Sequence, residues 1–160
     1  MKKEKLLEWG LVLLGVVLFV VATAQRRHYL APTMELLVAP SIPVQLAASF
    51  GDRYLAANVA VWRTLMTGGQ HLSRDTLAAL SRIQEDASFL NPGHEDNYVT
   101  ATALLPWEGF VEPGQVILRR AVEARKTDFY APFFYGFNEI HFLRDGKEAY
   151  RYGRIAAERA

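Results

Sequence analysis

The segments SRIQEDASFLNP (81–92), VILRRAVEARK (116–126) and YRYGRIAAERA (150–160) each set a small residue at the same point of an amphipathic helix, at Ala87, Ala121 and Ala156. These alanines lie 34 and 35 residues apart, a spacing that belongs to helix-hairpin repeats. A helix pair of this size cannot bury its own apolar face, so the core must come from stacking one pair on the next.

Working outward, Ser73 is placed to cap a helix in which Leu77, Leu80, Ile83, Ala87 and Leu90 share a face, and Asn91-Pro92-Gly93 ends it. The next unit covers residues 95–126. Its first helix runs through Tyr98, Ala101 and Leu105, a break is expected near Pro113-Gly114, and the second helix carries Val116, Arg120 and Ala121. The last unit starts near Asp128, turns at Asp145-Gly146 and ends in a helix over 147–160. Toward the amino end, Val44, Leu46, Ala47 and Phe50 are periodic, Gly51-Asp52 interrupts, and Leu55, Val59, Trp62, Leu65 and Met66 resume the pattern until Gly68-Gly69. Pro43 fits the first turn of a helix capped by Ser41 or Ile42.

The first thirty residues differ in kind. From Trp9 to Ala24 there is no charge, Leu6 and Leu7 extend the run past Glu8, and Trp9 and Tyr29 would lie roughly 30 Å apart on a helix. That pattern predicts one membrane-spanning helix with aromatic residues at both interfaces. The alternative is a cleaved signal peptide, with Ala22-Thr23-Ala24 as the processing site and Gln25 as the new amino terminus. Lys2, Lys3 and Lys5 against Arg26 and Arg27 orient the amino end toward the cytoplasm and the repeats toward the extracytoplasmic side. Pro32, Pro40 and Pro43 make residues 30–43 a linker, with room for a turn of helix over 34–38.

Charge excludes one class of function. Of 18 basic and 17 acidic residues, five and two fall in residues 1–27, leaving 13 basic against 15 acidic in the remainder. A nucleic-acid surface needs clustered positive charge, which this part lacks. The chain has no cysteine, so disulfides, thiolate metal sites and cysteine nucleophiles are ruled out.

Several of these residues resemble tetratricopeptide repeats. Asn91-Pro92 stands where that family closes a repeat with proline, Tyr135-Gly136 matches its apolar-then-glycine pair, and Ala87, Ala121 and Ala156 match its small residue in the second helix. Gly51-Asp52 through Trp62-Arg63, Leu90-Asn91-Pro92, Trp107-Glu108-Gly109 and Pro132 through Asn138 are similar to bacterial membrane-anchored tetratricopeptide proteins, over about residues 40–160. The chain departs from the pattern at Lys126, where a proline is expected, and at Pro106, which falls inside the second unit's first helix or ends it early. The first unit keeps only Gly68, Ala87 and Pro92. The expected fold is therefore all-α. A transmembrane helix (1–29) and a proline-containing linker (30–43) precede a short α-solenoid of helix hairpins (44–160) with about three repeats, the first degenerate.

The resemblance implies that the first helix of each pair lines a concave surface that binds peptides or proteins. Carried over by spacing, that lining comprises Trp62, Met66, Asp96, Val99, Thr100, Ala103, Trp107, Tyr130, Phe133, Phe137, Asn138 and His141. Residues 129–142 hold more rings than one thin helix pair can bury, so some are expected to meet a partner. A basic stripe of Arg144, Lys147, Arg151 and Arg154 is the candidate for an acidic partner or lipid headgroups, against the plain reading of a solvated face. The chain stops inside its final helix without a polar capping helix, which predicts assembly with itself or another subunit.

No enzyme, metal or cofactor signature emerges. His28, His71, His94 and His141 are scattered, Glu139 and His141 fall on different faces of a helix, and no phosphate-binding loop or nucleophile elbow is present. The expected role is a membrane-tethered interaction scaffold that helps assemble or hold a complex. The alternative is a permanent structural subunit of a larger membrane complex. Both predict protein subunits or peptide segments as partners, contact of residues 6–29 with the bilayer, and no nucleic acid.

Overall fold

The computed structural model describes residues 2–26, 38–67 and 72–160, with residues 2–8 and 24–26 as helical backbone alone. The chain divides into two compact units, Met1–Thr33 and Met34–Ala160. Tyr29, Arg27, His28, His71, Pro32, most of the 30–43 linker and the Gly68-Gly69 stop lie outside the described residues. Among those described there are helices and no strand, in agreement with an all-α chain.

The first unit holds α1 (Lys2–Arg26). The expected transmembrane helix is not upheld: among the described residues no helix is long and apolar enough to cross a membrane. The single-pass placement and its orientation with the repeats outside fall with it.

The second unit runs α2 (Ile42–Ala48), α3 (Arg53–Met66), α4 (Arg74–Leu90), α5 (Glu95–Leu104), α6 (Val111–Ala124), α7 (Tyr130–Asn138), a π-helical turn (Glu139–Leu143) and α8 (Gly146–Arg159). The starts follow from local chemistry. Pro43 sits in the first turn of α2, the Asp52 carboxylate accepts from the amides of Tyr54 and Leu55, Ser73 Oγ accepts from Thr76, and Asp145 accepts from Lys147 and Glu148. One expected boundary moves. The break between α5 and α6 is at 105–110, and Pro113 and Gly114 lie inside the first turn of α6, where a missing N–H costs no hydrogen bond. Pro106 ends α5 early.

From α2 onward each helix packs on its neighbour in sequence, and α4 also packs on α6. Ala60 and Val61 meet Ile83 and Ala87 between α3 and α4, while Ala56, Ala57 and Leu90 form a second small cluster with Ile42 and Leu46 of α2 beside it. The main core joins α5 to α8 through Tyr98, Ala101, Leu105, Ile117, Leu118, Ala121, Ala131, Tyr135 and Tyr152. The repeated small residues are all buried, Ala87 between α3 and α4, Ala121 in the main core and Ala156 on α8.

Arginines tie the stack together. Arg53 of α3 donates to the carbonyls of Phe89 and Leu90 at the end of α4, and Arg120 of α6 donates to Glu85 O and Ser88 Oγ of the same helix. Arg159 of α8 donates to the carbonyls of Val122, Arg125 and Asp128 around the end of α6. Arg53 and Arg159 thereby place cations beside the last carbonyls of α4 and α6, which have no intrahelical donor and lie at the negative end of the helix dipole.

Among the described residues, two that are not glycine occupy the left-handed region. Arg144 (φ 60°) ends the π-helical turn and Phe50 (φ 53°) sits in the α2–α3 turn, each at a cost of about 1 kcal/mol. Because the Arg144 position is the usual place for glycine, Arg144→Gly is expected to stabilise the fold by about 0.5–1 kcal/mol. A higher urea midpoint at unchanged slope would show it; an unchanged or lower midpoint would contradict the strain argument.

Candidate functional site

The aromatic residues of α7 are spaced so that one face alone can be buried. Ala131, Pro132, Tyr135 and Gly136 point into the core, which leaves Phe133 and Phe137 about half-exposed on the other side. On α5 and at its cap, Tyr98, Ala101 and Leu105 take the core, while Val99, Thr102 and Ala103 of α5 face the same opening. Trp107 reaches it from the turn after α5. Together Val99, Thr102, Ala103, Trp107, Phe133, Phe134 and Phe137 line an apolar groove of about 360 Å³ between α5 and α7.

The groove gathers five of the residues expected on the concave surface: Val99, Ala103, Trp107, Phe133 and Phe137. Thr102 and Phe134 were missed, although they lie three residues beyond Val99 and four beyond Tyr130, within one turn on a helix face. Thr102 is 8% exposed, and its hydroxyl has no hydrogen-bond partner among the described residues.

His141 joins the aromatic cluster at one end. Its imidazole lies parallel to the Phe137 ring at 5.2 Å and 5.4 Å from Trp107, and Phe142 meets Trp107 edge-on at 5.1 Å. His141 and Phe142 both belong to the π-helical turn that follows Asn138. Tyr130 is exposed and stacks on Phe129 at 4.0 Å.

Other expected residues are elsewhere. Asp96 is exposed in the first turn of α5 and Thr100 is half-buried beside it; neither lines the groove. Trp62 and Met66 are exposed on α3 in a row with Tyr54, Leu55, Val59 and Leu65. Asn138 is a correction, since it is 1% exposed. Its amide donates to Gln115 Oε1 at 3.2 Å, and Gln115 in turn donates to Glu139 Oε1 at 2.7 Å. That chain of polar groups is internal to α6 and α7 and cannot touch a partner.

The basic stripe is real in position and partly neutralised. Lys147, Arg151 and Arg154 are exposed along α8, but Arg151 is 3.4 Å from Glu148 and Arg154 is 3.1 Å from Glu158, while Arg144 caps the preceding turn. Exposed pairs of this kind contribute little to stability, and they lower the charge offered to an acidic ligand. Among the described residues no group of three His, Asp or Glu side chains could hold a metal ion.

No protein-family model, curated protein or solved structure matches this chain.

Proposed function

We propose that this chain is an interaction scaffold of tetratricopeptide type, whose α5–α7 groove holds an apolar segment of another protein and so helps assemble or hold a complex. The carrying observation is that Trp107, Phe133 and Phe137 stay 59%, 50% and 37% exposed while facing one another across a preformed groove. Rings that belonged only to a core would be covered by it. Rigid aromatic anchors around a concave apolar floor are what make a few contacts carry most of an interface's energy.

Ala103 provides a clean test, because it is exposed and its side chain faces the groove rather than the core. Peptides selected from a random display library on the wild-type chain are expected to be rich in Leu, Phe or Trp. Ala103→Glu should weaken them about 30-fold, since the carboxylate would be buried without a partner, at about 2 kcal/mol. Equal binding to Ala103→Glu would remove the groove from consideration.

A second reading, a permanent subunit of a larger assembly, draws on the row Tyr54, Leu55, Val59, Trp62, Leu65 and Met66, which exposes one face of α3. It predicts that full-length chain made without its companions aggregates, and that co-purified companions hold fixed ratios through size exclusion.

A further inference from the structure

The α2–α3 turn carries a feature that its own fold does not use. Phe50 is 98% exposed, and its backbone is in the left-handed region that a phenylalanine occupies at a cost. The turn is nonetheless firmly held. Gly51 N donates to Leu46 O at 2.8 Å, Asp52 N to Ser49 O at 2.9 Å, Phe50 N to Ala47 O at 3.2 Å, and Ser49 is buried. A glycine would fit this backbone better, and the ring gains nothing from the fold around it.

We infer that the occupant of the α5–α7 groove is Phe50 of a second copy of this chain. The inference rests on the groove being a binding site, as proposed above, and names what fills it. Three observations fit the two surfaces to each other. The first is size: a dry cavity of about 150 Å³ holds a benzene ring, and the groove offers about 360 Å³. Its walls supply the edges and faces of Trp107, Phe133, Phe134 and Phe137, with which an entering ring stacks or meets edge-on.

Polarity is the second. The charges beside the ring are already engaged, Asp52 by the amides at the start of α3 and Arg53 by the Phe89 and Leu90 carbonyls. The ring that would enter the groove is itself uncharged, and the neighbouring Asp52 and Arg53 side chains are held back on α3 and α4 by those hydrogen bonds. The third is rigidity: a knob held by backbone hydrogen bonds and a groove held between packed helices lose little freedom on meeting.

Knob and groove are different surfaces of one unit, so the contact is heterologous and leaves a free knob and a free groove at the ends of each chain of copies. One ring with Tyr54 beside it covers less area than a tight dimer needs, so association is weak and rises with concentration.

The test uses the full-length chain with p-benzoyl-phenylalanine at position 50, mixed with ¹⁵N-labelled wild type and irradiated. Cross-links from position 50 to residues 99–107 or 133–137 of the labelled copy are expected. No cross-links between copies, or cross-links elsewhere, would overturn the proposal. Phe50→Gly separates binding from folding, because it removes the ring and relieves the backbone together. It should be at least as stable as wild type, yet about tenfold weaker in the concentration-dependent step of sedimentation. Mixed with Ala103→Glu, which keeps the knob, it should form a dimer that grows no further. Should Phe50→Gly associate like wild type while Ala103→Glu still loses the selected peptides, the identity of the occupant falls and the groove stands. Should Ala103→Glu affect neither, both fall.

Discussion

Gly136→Val is expected to cost about 3 kcal/mol or more, the largest effect of any single change considered for this chain. A Cβ at position 136 would lie 3.0 Å from the carbonyl oxygen of Ala149, 3.3 Å from the amide of Gly153 and 3.5 Å from the Tyr152 Cβ. Two of those three neighbours are backbone, so α7 and α8 would have to separate. The rings of Tyr135 and Tyr152, tilted against each other with centroids 3.9 Å apart across the same crossing, would separate with them. Gly153 sits on the facing helix, and a Cβ there meets open space. Gly153→Ala should therefore stabilise by up to about 1 kcal/mol through helix propensity alone. Chemical denaturation of both variants checks the argument, which fails if the two shift in the same direction.

Asp128→Ala is expected to cost about 3 kcal/mol, because one carboxylate holds together parts of the chain that are distant in sequence. Asp128 Oδ2 accepts from the Tyr98 hydroxyl and from Arg125 Nε, both at 2.6 Å, and Oδ1 accepts from the Tyr130 amide at 2.8 Å. Its side chain is 7% exposed and Tyr98 is 1% exposed, so removal leaves a buried hydroxyl unpaired and a guanidinium without its best partner. In a Tyr98→Phe background the same substitution should cost about 1 kcal/mol less, and equal costs in the two backgrounds would mean that the pair is not coupled.

The same site makes stability depend on pH at both ends. Burial alone would raise the Asp128 pKa, but the hydrogen bonds from Tyr98, Arg125 and Tyr130, with the Arg125 charge, outweigh it and hold it below the ordinary value. A depressed carboxylate contributes stability above the unfolded pKa of about 3.9, and that contribution is lost as pH falls through the folded value. Tyr98 moves the other way. Burial first, then the hydrogen bond to Asp128 and its charge, push the phenol pKa up. Its contribution is present below the unfolded value of about 10 and is lost as pH rises beyond it. Asp128→Asn should flatten the acid limb of a stability profile below the unfolded carboxylate pKa of about 3.9. An acid limb identical to wild type would show that other carboxylates dominate it.

The helices were legible because their signals are local. Ser73, Asn91-Pro92-Gly93 and Asp145-Gly146 act on backbone groups within a few residues, and each ends or starts a helix where expected. Pro113 misled for an equally local reason: the first turn of a helix tolerates proline as well as a break does, so the residue type cannot tell the two apart. The amino-terminal run is apolar from Trp9 onward, yet among the described residues no helix is long and apolar enough to cross a membrane.

The candidate site was legible in part. Val99, Ala103, Trp107, Phe133 and Phe137 followed from repeat spacing, and they meet in the groove. Asn138 shares their spacing but turns inward, because Gln115 of α6 offers it a buried partner. Helix periodicity places a residue on a face without saying which neighbouring helix that face will meet.

By itself the sequence determined that the chain is α-helical, where most of its helices start and stop, and that small residues recur where helices cross. Those properties depend on hydrogen bonds and side-chain sizes within one or two turns. Only the tertiary structure decided that Tyr98 would find Asp128 thirty residues away, that arginines of later helices would close the ends of earlier ones, and that rings from α5, α7 and the turn at Trp107 would face one groove. Those pairings are set by the angles and depths at which whole helices cross, which depend on all the side chains between them at once.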